Sequence, residues 1–184
     1  MATSPLLIIV QGAPASGKTT LVRRLEKDLA CIALSKDDIK EFLFDRLPQS
    51  DRAFSTVQGQ AAVAMVYAGA ALFLDRGYTV IIESAFFTKY ARSDIEKLLD
   101  TTKARAIEIY CFSDEAVRQE RFIERARSGT RHHAHLDDKV TPEMLSGDVH
   151  NPPIDIGDRF NVDTTNGVKD KVYDELLTFI KGKM

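Results

Sequence analysis

The chain has 184 residues, 44% of them hydrophobic and 28% charged, with 25 Lys and Arg against 27 Asp and Glu and a formal charge of −2. A chain of this length buries roughly 70% of its unfolded surface and suits one domain over residues 1–184 rather than two; the ordinary globular mix excludes a disordered chain, a collagen-like repeat and a disulfide scaffold. Near-balanced charge leaves no global basic field to hold nucleic acid non-specifically, although a local basic groove stays open.

The first residues carry no basic region, and Leu6 to Val10 is too short for the core of a signal peptide. The longest uncharged apolar stretch, Ala61 to Leu74, falls short of the roughly 18 residues of a membrane span. These features read as a soluble, cytoplasmic protein with no membrane contact and no obligate protein partner. Cys31 and Cys111 each sit in an apolar run, where a buried thiol is the usual role.

Short branched apolar runs alternate with longer periodic segments, the pattern of an α/β protein whose parallel strands are joined by crossover helices. The first strand, Leu6–Gln11, runs into Gly12-Ala13-Pro14-Ala15-Ser16-Gly17-Lys18-Thr19 and then into a helix over Gly17 to Leu29. This is the full G-x-x-x-x-G-K-[ST] pattern in its strand, loop and helix context. Its glycines let backbone N–H groups turn onto phosphate oxygens, and the helix N-terminus adds partial positive charge. Lys18 brings a mobile charge to the outer phosphates, and the Thr19 hydroxyl suits Mg2+ bound across them. Gly12, Ala15, Ser16, Gly17, Lys18, Thr19 and Thr20 are therefore the expected nucleotide contacts. No Asn-Lys-x-Asp accompanies them, which argues against a GTPase. Leu145 to Val149 starts like an ABC signature but lacks its Gly-Gln ending.

A second strand, Cys31 to Leu34, delivers Ser35-Lys36-Asp37-Asp38 to the start of a helix over Asp37 to Asp45. Sites in such sheets lie beyond the carboxyl ends of the strands. Asp37 suits a carboxylate that accepts a hydroxyl proton, while the same residues also read as a helix cap, with Ser35 at the cap and Asp38 three positions on. A long helix over Arg52 to Arg76 is apolar around most of its girth and should pack on two sides. The third strand, Thr79 to Glu83, ends in a carboxylate that would be costly if buried without a partner, so Glu83 is expected beside a metal or Lys18.

A helix over Lys89 to Asp100 and a strand over Ala106 to Phe112 precede a helix over Asp114 to Ser128. There Arg118, Arg121 and Arg125 fall at i, i+3 and i+7, one stripe. With Arg131 they lead into Gly129 to Ile156, an irregular segment rich in His, Asp, Pro and Gly, in which only Pro142 to Ser146 reads as helical. The region from about 118 to 156 reads as a lid, whose arginines would meet a transferring phosphoryl group and exclude water. His132, His133 and His135 lack the companions of a zinc site and read as polar or phosphate-contacting lid residues. A last strand, Arg159 to Val162, and a helix over Val168 to Lys181 complete the chain, with Asp163 to Asn166 as strand end, helix cap or base contact.

Together GAPASGKT, SKDDIK, VIIESAF and RQERFIERARSGTRHH resemble the P-loop kinase group that includes phage-type polynucleotide kinases, zeta toxins and chloramphenicol phosphotransferase-like enzymes. The resemblance implies a three-layer, nucleoside-monophosphate-kinase-like core, five parallel strands in the order 2-3-1-4-5, and ATP with Mg2+. SKDDIK is similar to a segment whose first Asp is the general base, which places that role on Asp37 and a substrate-phosphate contact on Lys40. Arg121 and Arg125 match the spaced lid arginines, and Arg92 lies where the group places another substrate contact. The implied site has Lys18, Asp37, Arg121 and Arg125 as catalytic residues, with Arg121 also at the nucleotide, and Thr19 and Glu83 at the metal. Asp37, Lys40, Glu83, Arg92, Arg125 and Arg131 would face the acceptor. The reading is a kinase transferring the ATP γ-phosphate to a small molecule (an antibiotic, sugar or nucleoside), with a polynucleotide 5'-hydroxyl and an ATP-dependent regulatory module as alternatives.

Overall fold

The computed structural model describes residues 4–47, 51–86, 88–129, 131–135 and 152–184, with no side chain described at 88 and 89. In chain order the elements are β1 (Leu6–Gln11), α1 (Lys18–Leu29), β2 (Ile32–Ser35), α2 (Lys36–Arg46), α3 (Arg52–Leu74), β3 (Val80–Glu83), α4 (Thr88–Thr102), β4 (Arg105–Phe112), α5 (Glu115–Arg127), a 3-10 turn (His133–His135), β5 (Asp158–Asp163) and α6 (Asp170–Lys181). The strands form one all-parallel sheet in the order β2-β3-β1-β4-β5. Each expected strand and helix among the described residues is present within two residues or so of its expected bounds; the expected helix over Pro142 to Ser146 lies outside them.

Helices cover both faces of the sheet because β1 is apolar on both. Leu6, Ile8 and Val10 point to one side and pack with Leu21, Val22 and Leu25 of α1 and Tyr173, Leu176 and Ile180 of α6. Leu7 and Ile9 point to the other and pack with Val66, Ala70 and Leu74 of α3 and Ile95 and Leu98 of α4. Period-two alternation with both sets buried is what a central parallel strand requires. The order 2-3-1-4-5 makes β1 the middle strand and reverses direction beside it, so the loops after β1, β2, β3 and β4 converge on one edge.

α3 is the one described helix long and apolar enough by composition to cross a membrane. It lies against α2, α4 and the sheet through Ser55, Gln58, Ala62, Val66, Ala70 and Leu74. The expectation of packing on two sides thus holds for its flanks, while its outer face stays open. Cys111 is buried, Cys31 only half-buried, and both are free thiols.

Candidate active site

The phosphate-loop geometry starts with Gly12. Its φ is 147°, and a Cβ built there would lie 2.0 Å from the Cys111 carbonyl oxygen, so the loop passes directly over β4. Only glycine fits. Gly12→Ala should cost more than about 2 kcal/mol of stability, because a backbone carbonyl cannot step aside as a side chain can; a thermal melt within a degree of wild type would contradict this. Gly17 caps α1 in the left-handed region, φ 77°, which also favours glycine. The Ser16 hydroxyl is buried with no hydrogen-bond partner. A buried orphan donor inside a glycine-shaped turn fits an anionic guest such as a phosphate.

Lys18 is buried, and its ammonium donates to the carbonyls of Gly12 (2.9 Å) and Ala13 (2.8 Å). Burial pulls its pKa below the usual lysine value, against the opposing pull of Glu83 and Asp37. The Arg125 guanidinium acts in the same direction as burial, which places it in electrostatic reach of the loop. Thr19 and Thr20 are exposed on the first turn of α1.

Glu83 ends β3 in register with Ser35 at the end of β2, and the Ser35 hydroxyl donates to Glu83 Oε2 at 2.7 Å. Ser35 occupies the cap position of α2 but makes no side-chain cap hydrogen bond, because its hydroxyl is turned to Glu83. Thr19 Oγ1 lies 3.5 Å from Glu83 Oε1. Burial raises the Glu83 pKa, with Lys18 and the Ser35 hydroxyl opposing and Asp37 and Asp38 adding to the rise. Two oxygen donors of this kind, one a carboxylate, suit a hard cation such as Mg2+.

Asp37 opens α2 beside this group. One carboxylate oxygen meets Lys36 Nζ at 3.0 Å and the other Arg131 at 3.3 Å. Burial works against its ionisation, but Lys36 and Arg131 outweigh that and hold the carboxyl well below the usual carboxylate range. Arg131 also reaches Glu41 at 3.8 Å, His135 meets the same Glu41 at 2.7 Å, and His132 meets Asp45 at 3.2 Å. Asp37, Glu41 and Asp45 recur every four residues on one face of α2, so the segment 131–135 lies along that helix as a row of ion pairs and hydrogen bonds.

Burial pushes the His135 imidazole down to about 3, so it is neutral and its Nε2–H donates to Glu41. The unfolded chain then takes up a proton near pH 6.5 that the folded chain refuses. Stability should fall as pH drops from 6.5 toward 3, by about 1.4 kcal/mol per unit, and His135→Asn should flatten that slope in urea titrations. An unchanged slope would remove His135 from the account.

Arg121 donates to the carbonyls of Thr164 (2.7 Å) and Thr165 (3.0 Å) and to the Thr164 hydroxyl. That hydroxyl lies 3.0 Å from the Ser16 carbonyl, and Thr164 is also the contact a Cβ at Gly17 would meet, at 3.3 Å. Arg121 thus braces the end of β5 against the phosphate-binding loop. Arg125 lies over the Phe122 ring, 5.2 Å from its centroid, and Arg118 is buried in the fold.

Two expected acceptor contacts are bonded to neighbouring elements. Lys40 is buried between α2 and α3, and its ammonium donates to Ser55 at 2.8 Å. Arg92, on α4, binds Glu96 and the carbonyl of Ile154. Both are engaged in holding elements together.

Sequence reasoning missed Glu108 and Gln11. Glu108 is fully buried in β4; its Oε1 accepts from Gln11 Nε2 (2.7 Å) and the Ile154 N–H (2.6 Å), and its Oε2 from the Asp155 N–H (3.0 Å). The available signal was a polar residue inside each of two otherwise apolar strands, which demands a buried partner.

The family model for an AAA domain matches residues 7–147. No curated protein matches the chain. Among solved structures, a candidate kinase from Chloroflexus aurantiacus J-10-fl is 33% identical, with 99% of this chain and 100% of that chain covered and a TM-score of 0.91. The APS kinase CysC of Mycobacterium tuberculosis, solved with AMPPNP and APS, is 16% identical over 97% of this chain and 99% of its own, TM-score 0.62. The Pnkp1/Rnl/Hen1 RNA repair complex contains a chain 18% identical over 79% of this chain and 43% of its own, TM-score 0.58. The fold is that of the P-loop kinases. Because the family match runs from β1 through the phosphate-binding loop, Asp37, Glu83 and α5, the chain belongs to the AAA domain family.

Proposed function

We propose that the protein is a kinase that transfers the γ-phosphoryl group of ATP to a hydroxyl of a small-molecule acceptor, within one domain. The observation that carries this reading is the convergence of Lys18, Glu83 and Asp37 at the carboxyl ends of β1, β3 and β2, where Thr19 Oγ1, next to Lys18, lies 3.5 Å from Glu83 Oε1 and Ser35, two positions before Asp37, donates to Glu83 Oε2 at 2.7 Å. The loop N–H groups and Lys18 would hold the β- and γ-phosphates. Thr19 and Glu83 would hold Mg2+, which when bound neutralises charge on the phosphate oxygens. Thr164, Thr165 and Arg121 stand beside the loop, where the nucleoside would lie.

Asp37 is ionised and would accept the proton of the attacking hydroxyl, with Arg131 leaving its carboxylate as the acceptor arrives. Arg125, whose charge reaches Lys18, would counter the charge on the transferring group. The acidic net charge favours a small acceptor over a polynucleotide.

The test is γ-labelled ATP with Mg2+, offered in parallel a 5'-hydroxyl RNA, a 5'-hydroxyl DNA and a pooled panel of small hydroxyl compounds. Label in the small-molecule pool supports the proposal. Label on an oligonucleotide alone would replace it with a polynucleotide kinase. Slow ATP hydrolysis indifferent to every acceptor would replace it with a regulatory module.

A further inference from the structure

Ser35 makes a bond that its place in the chain does not call for. It stands last in β2, in register with Glu83 at the end of β3, and the two are buried, at 8% and 4% exposure. Registered residues of a parallel pair present their side chains to the same face, so the strands themselves bring hydroxyl and carboxylate together. Ser35 is also the cap residue of α2, where a serine oxygen ordinarily accepts a backbone N–H of the first turn. It makes no such bond, and its hydroxyl donates to Glu83 Oε2 at 2.7 Å.

That bond divides the carboxylate. Oε2 holds the short bond, while Oε1 is met, among the described residues, by the Thr19 hydroxyl at 3.5 Å, long for a hydrogen bond. The Lys18 ammonium is turned to the carbonyls of Gly12 and Ala13. A serine has one O–H to give, so it ties one oxygen and leaves the other, on the Thr19 side, to accept a further partner. Binding through one oxygen or through two separates cations. Ca2+ takes carboxylates either way in a flexible shell, whereas Mg2+ is smaller and demands near-ideal octahedral angles, which the narrow bite of a two-oxygen carboxylate strains.

We infer that Ser35 sets the cation preference of the site: by tying Glu83 Oε2 it leaves the carboxylate a single oxygen, Oε1, for the metal, and so favours Mg2+ over Ca2+. Ser35 acts through Glu83, as a positioning residue. The inference rests on the proposed place of Glu83 at the metal.

The test is the affinity of a non-hydrolysable ATP analogue, by isothermal titration, with saturating Mg2+, with saturating Ca2+ and in EDTA. The wild-type chain should bind more tightly with Mg2+ than with Ca2+. Ser35→Ala, which removes a hydrogen bond to a charged group, should weaken binding about tenfold with Mg2+ but less than about twofold with Ca2+ or in EDTA. Ser35→Thr keeps the hydroxyl and should hold the preference within about twofold of wild type. Ser35→Cys, nearly the same shape with a weak donor, should fall between and serves if the alanine variant does not fold. On a Glu83→Ala background Ser35→Ala should change nothing further. Equal weakening in all three solutions would make Ser35 a support of the phosphate-binding loop and overturn the inference, as would a preference that Ser35→Ala leaves unmoved. Glu83→Ala alone tells which reading has failed. If it weakens Mg2+-dependent binding while Ser35→Ala does not, the part given to Ser35 falls by itself; if it leaves that binding unchanged, the place of Glu83 at the metal falls with it.

Discussion

Asp37→Ala should lower phosphoryl transfer by about 10^2 to 10^4 while leaving ATP affinity within a few-fold of wild type, since a positioned base is worth that much and the loop that binds phosphate is a separate element. The geometry makes a sharper demand. Both oxygens of Asp37 meet cations, Lys36 at 3.0 Å and Arg131 at 3.3 Å, and the carboxyl is held well below its usual range. Removing a cation from an acid raises its pKa. If protonation of Asp37 sets the acid limb of the pH–rate profile, Arg131→Gln should move that limb to higher pH. The same variant should lower kcat if Arg131 turns to the substrate during transfer. Isothermal titration with ATP and a rate profile carried down to pH 3, where the wild-type limb should still be absent and that of the variant should enter, separate these effects. Asp37→Ala with lost ATP binding and retained turnover per bound nucleotide would refute the assignment of Asp37 as base.

What the sequence disclosed is what local rules govern. The unbroken apolar run Leu6 to Val10, the glycine spacing of the loop and the acid ending β3 are each readable within a few positions, and each is where it was expected. The strand order was implied by the resemblance rather than by any local pattern. Contacts between distant positions were not readable. Lys40 was an expected acceptor contact only through the resemblance of SKDDIK, and no local pattern told that its amine donates to Ser55, fifteen positions on and in another helix. Ser35 looked like a cap and is turned instead to Glu83, since β2 and β3 are in register there and a buried carboxylate outcompetes a solvent-accessible N–H. His132 and His135 gave no sign that the partners of their rings lay on α2, because the spacing of Asp37, Glu41 and Asp45 is equally that of a solvated helix face.

Glu108 is where the fold is most exposed to a single substitution. Its carboxyl sits in the sheet interior and receives the N–H groups of Ile154 and Asp155 and the amide of Gln11. The chain there makes a demanding return: Asp155 has φ 59°, and a Cβ at Gly157 would stand 2.1 Å from the Ala106 carbonyl. Such a turn persists only when its surroundings over-determine it, and Glu108 supplies the acceptors that do so. Glu108→Ala would leave the buried Ile154 N–H, the part-buried Asp155 N–H and one Gln11 amide hydrogen short of an acceptor and a void between β1, β4 and the incoming segment, a loss of about 3 to 5 kcal/mol. Glu108→Gln keeps the volume but exchanges one acceptor for a donor, so it should cost less, about 1 to 3 kcal/mol. Urea unfolding followed by circular dichroism orders the two, and a Glu108→Ala loss below about 1 kcal/mol would show that water or another group takes over the three donors. The effect should reach the nucleotide as well. The segment 152–157 leads into β5, β5 pairs among the described residues only with β4, and the end of β5 carries the Thr164 that braces Ser16. Glu108→Gln should therefore weaken ATP binding several-fold at a temperature where the chain is still fully folded, and unchanged ATP affinity in that variant would break the link from Glu108 to the loop.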